Sequence, residues 1–310
     1  MLSEFSLIDE FFKQDKHLNS HTHLGIGDDC ALLSIPSGYE LAVTTDTMVE
    51  NVHFFADANP AQLGHKLLAV NLSDLAAMGA KPIAVTLALT LPHVDENWLR
   101  QFSNGFLALA RQFSVDLIGG DTTQGALTLT VQAMGIVPKR QALKRSTAQI
   151  GDAIFMTGKL GDAGLGLKIK QGYRHEDAQE ALNRFHAPIP QIDTGLALQG
   201  IASACIDISD GLLSDLGHIL KQSEVGACIE WEKLPFSSSV NAYIAQTGDA
   251  LMPLISGDDY ELCFTVPTKL AHCVPNNCTQ IGIIEAQLGL RLKKSGHIET
   301  LTAKGYEHFS

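Results

Sequence analysis

Apolar residues along the chain follow two alternating periods, one of about two and one of about 3.6, as expected of mixed strands and helices. In the first half, period-two or continuous apolar runs at 40–49 ("ELAVTTDTMV"), 82–91 ("PIAVTLALTL"), 115–121 ("VDLIGGD") and 127–137 ("LTLTVQAMGIV") predict strands. Helical spacing predicts helices over 60–79 and 95–113, and a first amphipathic helix within "MLSEFSLIDEFFKQ". The second half predicts strands at 153–158, 204–208, 227–231, 260–266 and 280–284, with helices near 162–172, 176–185, 192–202 and 212–223. Strands interleaved with helices argue for an α/β (α+β) fold.

At 310 residues the chain exceeds the usual size of one domain. The polar, basic stretch "PKRQALKRSTAQIGD" separates two apolar regions. It predicts an N-terminal domain over 1–138, a linker over 139–151 and a C-terminal domain over 152–310, with no internal repeat or low-complexity tract.

With 34 acidic against 22 basic residues, the formal charge is −12. That balance argues against a nucleic-acid partner, which needs a basic face. No apolar run approaches the ~18 residues of a membrane span. The N-terminal segment lacks the basic start of a signal peptide. The six cysteines are scattered; Cys273 and Cys278 form the only close pair, without the spacing of a zinc knuckle. Free thiols, most of them in apolar runs, suit a reducing compartment and predict a cytoplasmic protein.

The informative residues are aspartates that punctuate apolar runs: "GIGDDCALL", "AVTTDTMV", "NLSDLAAMGA", "LIGGDTTQG", "IDISDGLLSD" and "ISGDDYELCF". Five of the six read as strand-to-loop edges; Asp74 falls in a helical pattern. Helix capping accounts for any one of them, and Asp210 suits it well. Capping does not explain doublets, or an Asp after "TT" in mid-strand. Carboxylates gathered at strand ends repel unless a cation neutralises them. Magnesium is the natural choice, because it takes carboxylate and phosphate oxygens. Several such aspartates therefore predict several Mg²⁺ ions bridging phosphates.

Other nucleotide and hydrolase signatures are missing. No G-x-x-x-x-G-K-[ST] loop or G-x-S-x-G elbow occurs. "GKLGDAGLG" at 158–166 reads equally as a phosphate cradle or as a tight strand-to-helix turn. His21 and His23, in a polar segment, read as exposed.

Taken in order, "GIGDDCALL", "TTDTMVENVHF", "AVNLSDLAAMGAKP", "LIGGDTT", "IDISDGLLSDLGHI" and "SGDDYELCFTVP" resemble the thiamine-monophosphate kinase family. The likeness runs from about residue 5 to "KGYEHF" at the C-terminus. That family belongs with aminoimidazole ribonucleotide synthetase and selenophosphate synthetase. The resemblance implies a two-domain fold of that type, with an N-terminal sheet that dimerises and a C-terminal α/β domain. It implies transfer of the ATP γ-phosphoryl group to thiamine monophosphate, the last step to thiamine diphosphate, without a covalent nucleophile. By motif position it implies a magnesium set of Asp29, Thr44, Thr45, Asp46, Asp74, Asp121, Asp207 and Asp210. Of these, Asp46, Asp74 and Asp210 would assist catalysis through the metal. It implies ATP contacts from Gly120, Asp121, Arg145 and Ser209, and thiamine-phosphate contacts from His53, Asp258 and Tyr306. Asp258 stands where the family often has Glu in "GGEDYEL", one methylene longer. The alternatives are another ATP-dependent member of the same superfamily, or a nucleotide-binding dimer without turnover.

Overall fold

A computed structural model of the chain describes residues 4–14, 16–175, 178–302 and 305–306. Lys304 and Glu307 to Phe309 of the C-terminal motif lie outside the described residues, as do 176–177 at the start of a predicted helix. The chain divides into two compact units, Met1–Leu75 with Ala80–Arg140, and Ala76–Gly79 with Gln141–Ser310.

The first unit contains α1 (Glu4–Phe11), β1 (Thr22–Leu24), β2 (Leu32–Leu33), β3 (Tyr39–Val49), most of α2 (Pro60–Ala77), β4 (Lys81–Leu91), α3 (Glu96–Gln112), β5 (Asp116–Gln124) and β6 (Thr128–Pro138). Strands β3, β6, β4 and β5 form one sheet in that order; β4 and β5 are parallel and the other pairs antiparallel. Helix α2 starts at Pro60, where the Asn59 side chain accepts the N–H groups of Ala61 and Gln62. Its Leu67, Leu68, Ala69 and Leu72 are all fully buried, so the helix is enclosed on more than one side. Helix α3 is capped by Asp95 and buries Leu99, Phe102, Phe106 and Leu109 along one face.

Strand β3 is an edge strand with two different faces. Leu41, Val43, Thr45 and Thr47 are exposed, whereas Ala42, Thr44, Asp46 and Met48 alternate with them and are half-buried or buried. Asp46 thus lies mid-strand, as the predicted strand 40–49 implies, whereas the expectation for Asp121 is corrected: β5 continues past it to Gln124, so Asp121 lies inside the strand rather than at its end. An edge strand can carry a polar residue mid-way because only one of its sides is paired.

The second unit contains β7 (Ala153–Thr157), α4 (Asp162–Lys170), α5 (Ala178–His186), α6 (Ile192–Ala197), β8 (Ala204–Asp207), α7 (Leu212–Ser223), β9 (Gly226–Glu230), α8 (Ser238–Thr247), α9 (Met252–Ile255), β10 (Leu262–Val266), β11 (Cys278–Glu285), β12 (Gly289–Lys294) and β13 (His297–Leu301). Its sheet runs β13-β12-β9-β11-β7-β10-β8 and is antiparallel except between β12 and β9. A core of Ile154, Met156, Ile206, Leu216, Ile219, Ile229 and Leu254, among others, fills one face. Cys205, Cys228 and Cys263 are buried free thiols, whereas Cys30 and Cys273 are exposed. The strand pair β12–β13 and helices α8 and α9 have no counterpart among the predicted elements.

Candidate functional site

In the first unit, helix α2 grips strand β3 through two side chains one turn apart. Thr44 Oγ1 donates a short hydrogen bond to Asp74 Oδ2. The Asp46 N–H donates to Asn71 Oδ1 at 3.1 Å, and Asn71 Nδ2 donates to its own helix at Leu67 O, 3.0 Å away. Asn71 is fully buried and was not singled out from the sequence. Thr44, Asp46 and Asp74 are thus brought together. Thr45 is not: it points to the opposite face of β3, where Gln132 Nε2 reaches its hydroxyl at 3.5 Å.

A pocket of about 640 Å³ opens beside this sheet, lined by Asp28, Asp29, Gly119, Gly120 and Asp121, with Lys13 and Asp9 among its other walls. Asp29, Gly120 and Asp121 therefore share one cavity. Gly120 has to be glycine: a Cβ there would stand 1.8 Å from Leu87 O on the parallel neighbour β4. The doublet is asymmetric. Asp28 Oδ1 accepts the N–H of Asp29 at 2.9 Å, so Asp28 shapes the turn and Asp29 keeps its carboxylate exposed.

His53 closes the turn after β3. Its Nδ1 accepts the Val49 N–H at 3.0 Å, which assigns the ring proton of the neutral form to Nε2. Asn51, at φ 62°, makes the turn tight enough for that contact.

In the second unit, β8 ends at the buried Asp207 and the chain turns through Ser209, Asp210 and Gly211 into α7. The segment 256–261 is laced to this turn by backbone hydrogen bonds. The Asp258 N–H donates to Ser209 O (2.9 Å), the Tyr260 N–H to Ile208 O (2.8 Å), and the Ile208 N–H to Glu261 O (2.7 Å). Asp258 and Tyr260 take left-handed backbone, φ 69° and 49°, and the Tyr260 hydroxyl donates to Asp258 Oδ1 at 3.1 Å. The Tyr306 N–H donates to Asp210 O at 3.2 Å, and its ring is about half exposed. Ser209, Asp210, Asp258 and Tyr306 therefore meet. Arg145 stands exposed, its carbonyl held by Ser223 Oγ at 2.9 Å.

Burial dominates the electrostatics behind this surface. Asp215, in the first turn of α7, has its acid range pushed up to about 7 by burial first and by the charge of Asp210 second. Burial likewise raises Asp162, Asp259 and Glu261. Glu261, fully buried, is paired with Arg184 and accepts from Thr157 Oγ1. Asp259 accepts the N–H groups of Gly161 (2.8 Å) and Ala163 (3.2 Å). These are amides of the "GKLGDAGLG" turn, which a phosphate cradle would need free. The turn reading of that stretch therefore holds, because a buried carboxylate already fills its amides.

Two family models, AIR synthase related protein, N-terminal domain and C-terminal domain, match residues 27–137 and 149–292. The thiamine-monophosphate kinase of Haemophilus influenzae is 45% identical over 99% of this chain and 98% of its own. The chain belongs to the thiamine-monophosphate kinase family. A solved thiamine-monophosphate kinase from Stenotrophomonas maltophilia K279a is 42% identical, with a TM-score of 0.83 over 88% of this chain and 91% of that one. AaThiL complexed with AMPPCP and TMP is 28% identical, with a TM-score of 0.81 over 89% of each chain. The mixed α/β two-domain architecture is therefore the family's own, and the family's members are kinases, transferring phosphoryl groups in thiamine biosynthesis.

Among the described residues, no three Asp, Glu, His or Cys side chains are grouped closely enough to hold a metal ion by themselves. The donor chemistry is nevertheless that of a hard cation: Asp29, Thr44, Asp46, Asp74 and Asp121 in the first unit, and Asp207 and Asp210 in the second, all offer oxygen. No helix among the described residues is long and apolar enough to cross a membrane.

Proposed function

We infer that this chain transfers the γ-phosphoryl group of ATP to thiamine monophosphate, giving thiamine diphosphate and ADP. The observation that carries this reading is the 45% identity to a thiamine-monophosphate kinase along essentially the whole length of both chains. The Asp29–Gly120–Asp121 pocket and the laced Ser209–Asp258 surface support it.

The nucleophile is a substrate phosphate oxygen. With a second pKa near ~6 it is largely deprotonated at neutral pH, so no strong general base is needed. The difficulty is to align two polyanions, which is a matter of positioning and charge neutralisation. Magnesium held by Asp29, Thr44, Asp46, Asp74, Asp121, Asp207 and Asp210 would neutralise that charge. Thr45, whose hydroxyl faces Gln132 across the strand, is left out of the set.

In this reading the nucleotide contacts are Gly120, Asp121, Ser209 and Arg145. The guanidinium of Arg145 suits a bidentate phosphate contact. The exposed Tyr306 ring suits a cationic thiazolium, Asp258 accepts hydrogen bonds from the aminopyrimidine, and His53 offers its Nε2–H to the same substrate.

The domain limits 1–138 and 152–310 separate these roles, with the metal and pocket residues mainly in the first and the thiamine contacts mainly in the second. A homodimer is part of the reading. Tyr39, Leu41 and Val43 on one face of β3 are 39–52% exposed, an apolar surface suited to a second copy. Buried unpaired thiols support a cytoplasmic setting.

Incubation with ATP, Mg²⁺ and thiamine monophosphate, followed by chromatography, tests the assignment. Equimolar thiamine diphosphate and ADP are expected. ATP hydrolysis without thiamine diphosphate would favour another member of the superfamily, and no turnover would favour a binding protein.

A further inference from the structure

Asp215 belongs to none of the residues that the motifs assign, yet it organises the turn that carries two of them. It is 2% exposed, and its Oδ2 accepts the N–H of Asp210 at 3.0 Å and that of Gly211 at 3.1 Å. The Ser209 N–H also faces this carboxylate. The residue just before α7 is Gly211, which has no side chain to cap the helix. Capping comes instead from within the helix and reaches backwards past its start. The acceptor therefore holds the peptide groups on both sides of Asp210.

Asp215 has a second peculiarity. It places a buried carboxylate against the carboxylate of Asp210, where a neutral Asn or Ser would satisfy a helix end without repulsion. The opposite flank of the turn is fixed as well: Asp210 O accepts from Tyr306, and Ser209 O from Asp258. With the Ser209 and Asp210 carbonyls tied to neighbouring segments and the amides on both sides of Asp210 tied to Asp215, the backbone that carries the Asp210 side chain is held from both flanks.

We propose that Asp215 is a positioning residue for phosphoryl transfer: by binding the peptide N–H groups on both sides of Asp210, it sets the direction in which the Asp210 carboxylate meets a divalent cation. This rests on the kinase reading above.

The test compares the full-length wild type with Asp215→Ala and Asp215→Asn. Melting temperature, kcat, both KM values and the Mg²⁺ concentration for half-maximal rate are measured. Calorimetry then gives the Mg²⁺-dependent affinity for a non-hydrolysable ATP analogue. For Asp215→Ala, kcat is expected to fall about tenfold or more and the Mg²⁺ requirement to rise about fivefold or more, with KM for thiamine monophosphate within about twofold. Asp215→Asn should shift in the same direction by less, since its amide keeps one acceptor oxygen for Asp210 and Gly211 but puts an NH₂ donor where the carboxylate had a second acceptor.

A residue that only caps the helix would lower the melting temperature in both variants and leave kcat and the Mg²⁺ requirement within about twofold. That result overturns the proposal. If Asp215→Ala does not fold, Asp215→Asn decides: a calorimetric Mg²⁺ requirement raised about threefold supports the positioning role, and an unchanged one overturns it. Failure of the kinase reading would show separately, as a wild type that binds the Mg²⁺–analogue complex but forms no thiamine diphosphate.

Discussion

Gly257→Ala tests whether the contact between segments 208–211 and 256–261 matters for turnover. Gly257 is not in left-handed backbone, so alanine carries no intrinsic strain there. The obstacle is proximity: a Cβ would stand 2.1 Å from Ser209 O, and real Cβ contacts essentially never fall below 3.0 Å, so the two segments must part by about 0.9 Å. The atoms involved are backbone and cannot rotate away. Parting them breaks or stretches the Asp258–Ser209 and Tyr260–Ile208 hydrogen bonds, worth about 0.5–1.5 kcal/mol each. In a chain of 310 residues, a loss of about 1–3 kcal/mol lowers Tm by roughly 1.5–5 °C. The effect on catalysis should be larger in proportion. Misplacing reacting groups by about 1 Å can cost about 10²-fold, and both Asp258 and Asp210 move. The assay is steady-state thiamine diphosphate formation at varied ATP and thiamine monophosphate, with a thermal melt on the same preparation. A variant within about threefold of wild-type kcat/KM, melting at the wild-type temperature, would refute the reasoning.

Three further outcomes are expected. Asp29→Asn should reduce kcat/KM far more than Asp28→Asn, by at least the roughly 10–100-fold typical of a weakened metal site, because Asp28 is engaged by the Asp29 N–H; similar losses in both variants, read by the same assay, would contradict the asymmetry. Arg184→Met strands the buried Glu261 carboxylate and should destabilise by about 3–5 kcal/mol in urea unfolding, while adding Glu261→Gln should restore more than half of that loss. The third concerns pH. Asp162, Asp215, Asp259 and Glu261 all have folded-state acid ranges raised above their unfolded values, so their contribution is fully present below about pH 4 and is lost as pH rises through the folded values. For Asp215 that loss is complete only above about 7. Metal-free protein should therefore show a falling contribution between pH 5 and 8 by thermal melting, weaker in Asp215→Asn; identical profiles for the two proteins would count against it.

The strands β3 to β6 were legible because long apolar alternation is what a half-covered sheet requires. The pair β12–β13 was not, because "GLRLKKSGHIETL" mixes charged and apolar residues at an exposed sheet margin. Its one local signal is the turn, where Ser295 and Gly296 both take positive φ, 49° and 82°, as a two-residue hairpin of the primed type demands. Helix α8 was missed for a related reason: "SSVNAYIAQT" has little amphipathic contrast, and only the Ser237 cap marks its start. At the site, the exposed aspartates stood out by position. Asn71, Asp215 and Asp259 did not, since each acts by binding backbone amides, and Asn71 and Asp259 bind those of segments distant in sequence. Asp259 reaches across 98 residues to Gly161. No spacing rule in one sequence reveals such a partner.

The two aspartate doublets share one logic that their separate contexts conceal. In extended or turning chain, neighbouring side chains diverge, so a doublet offers its carboxylates in two directions. In "GIGDDCALL", both aspartates line the pocket, but Asp28 accepts the amide of Asp29. In "SGDDYELCF", Asp259 turns inward to the amides of Gly161 and Ala163, and half-buried Asp258 remains on the outside with Tyr260. A related division recurs at the start of α7, where Asp215 holds the amides on both sides of Asp210. One carboxylate of each pair thus fixes the backbone that carries the other. Replacing the backbone-binding member should loosen its neighbour, so doublets of this kind couple local stability to the geometry of a phosphoryl-transfer surface.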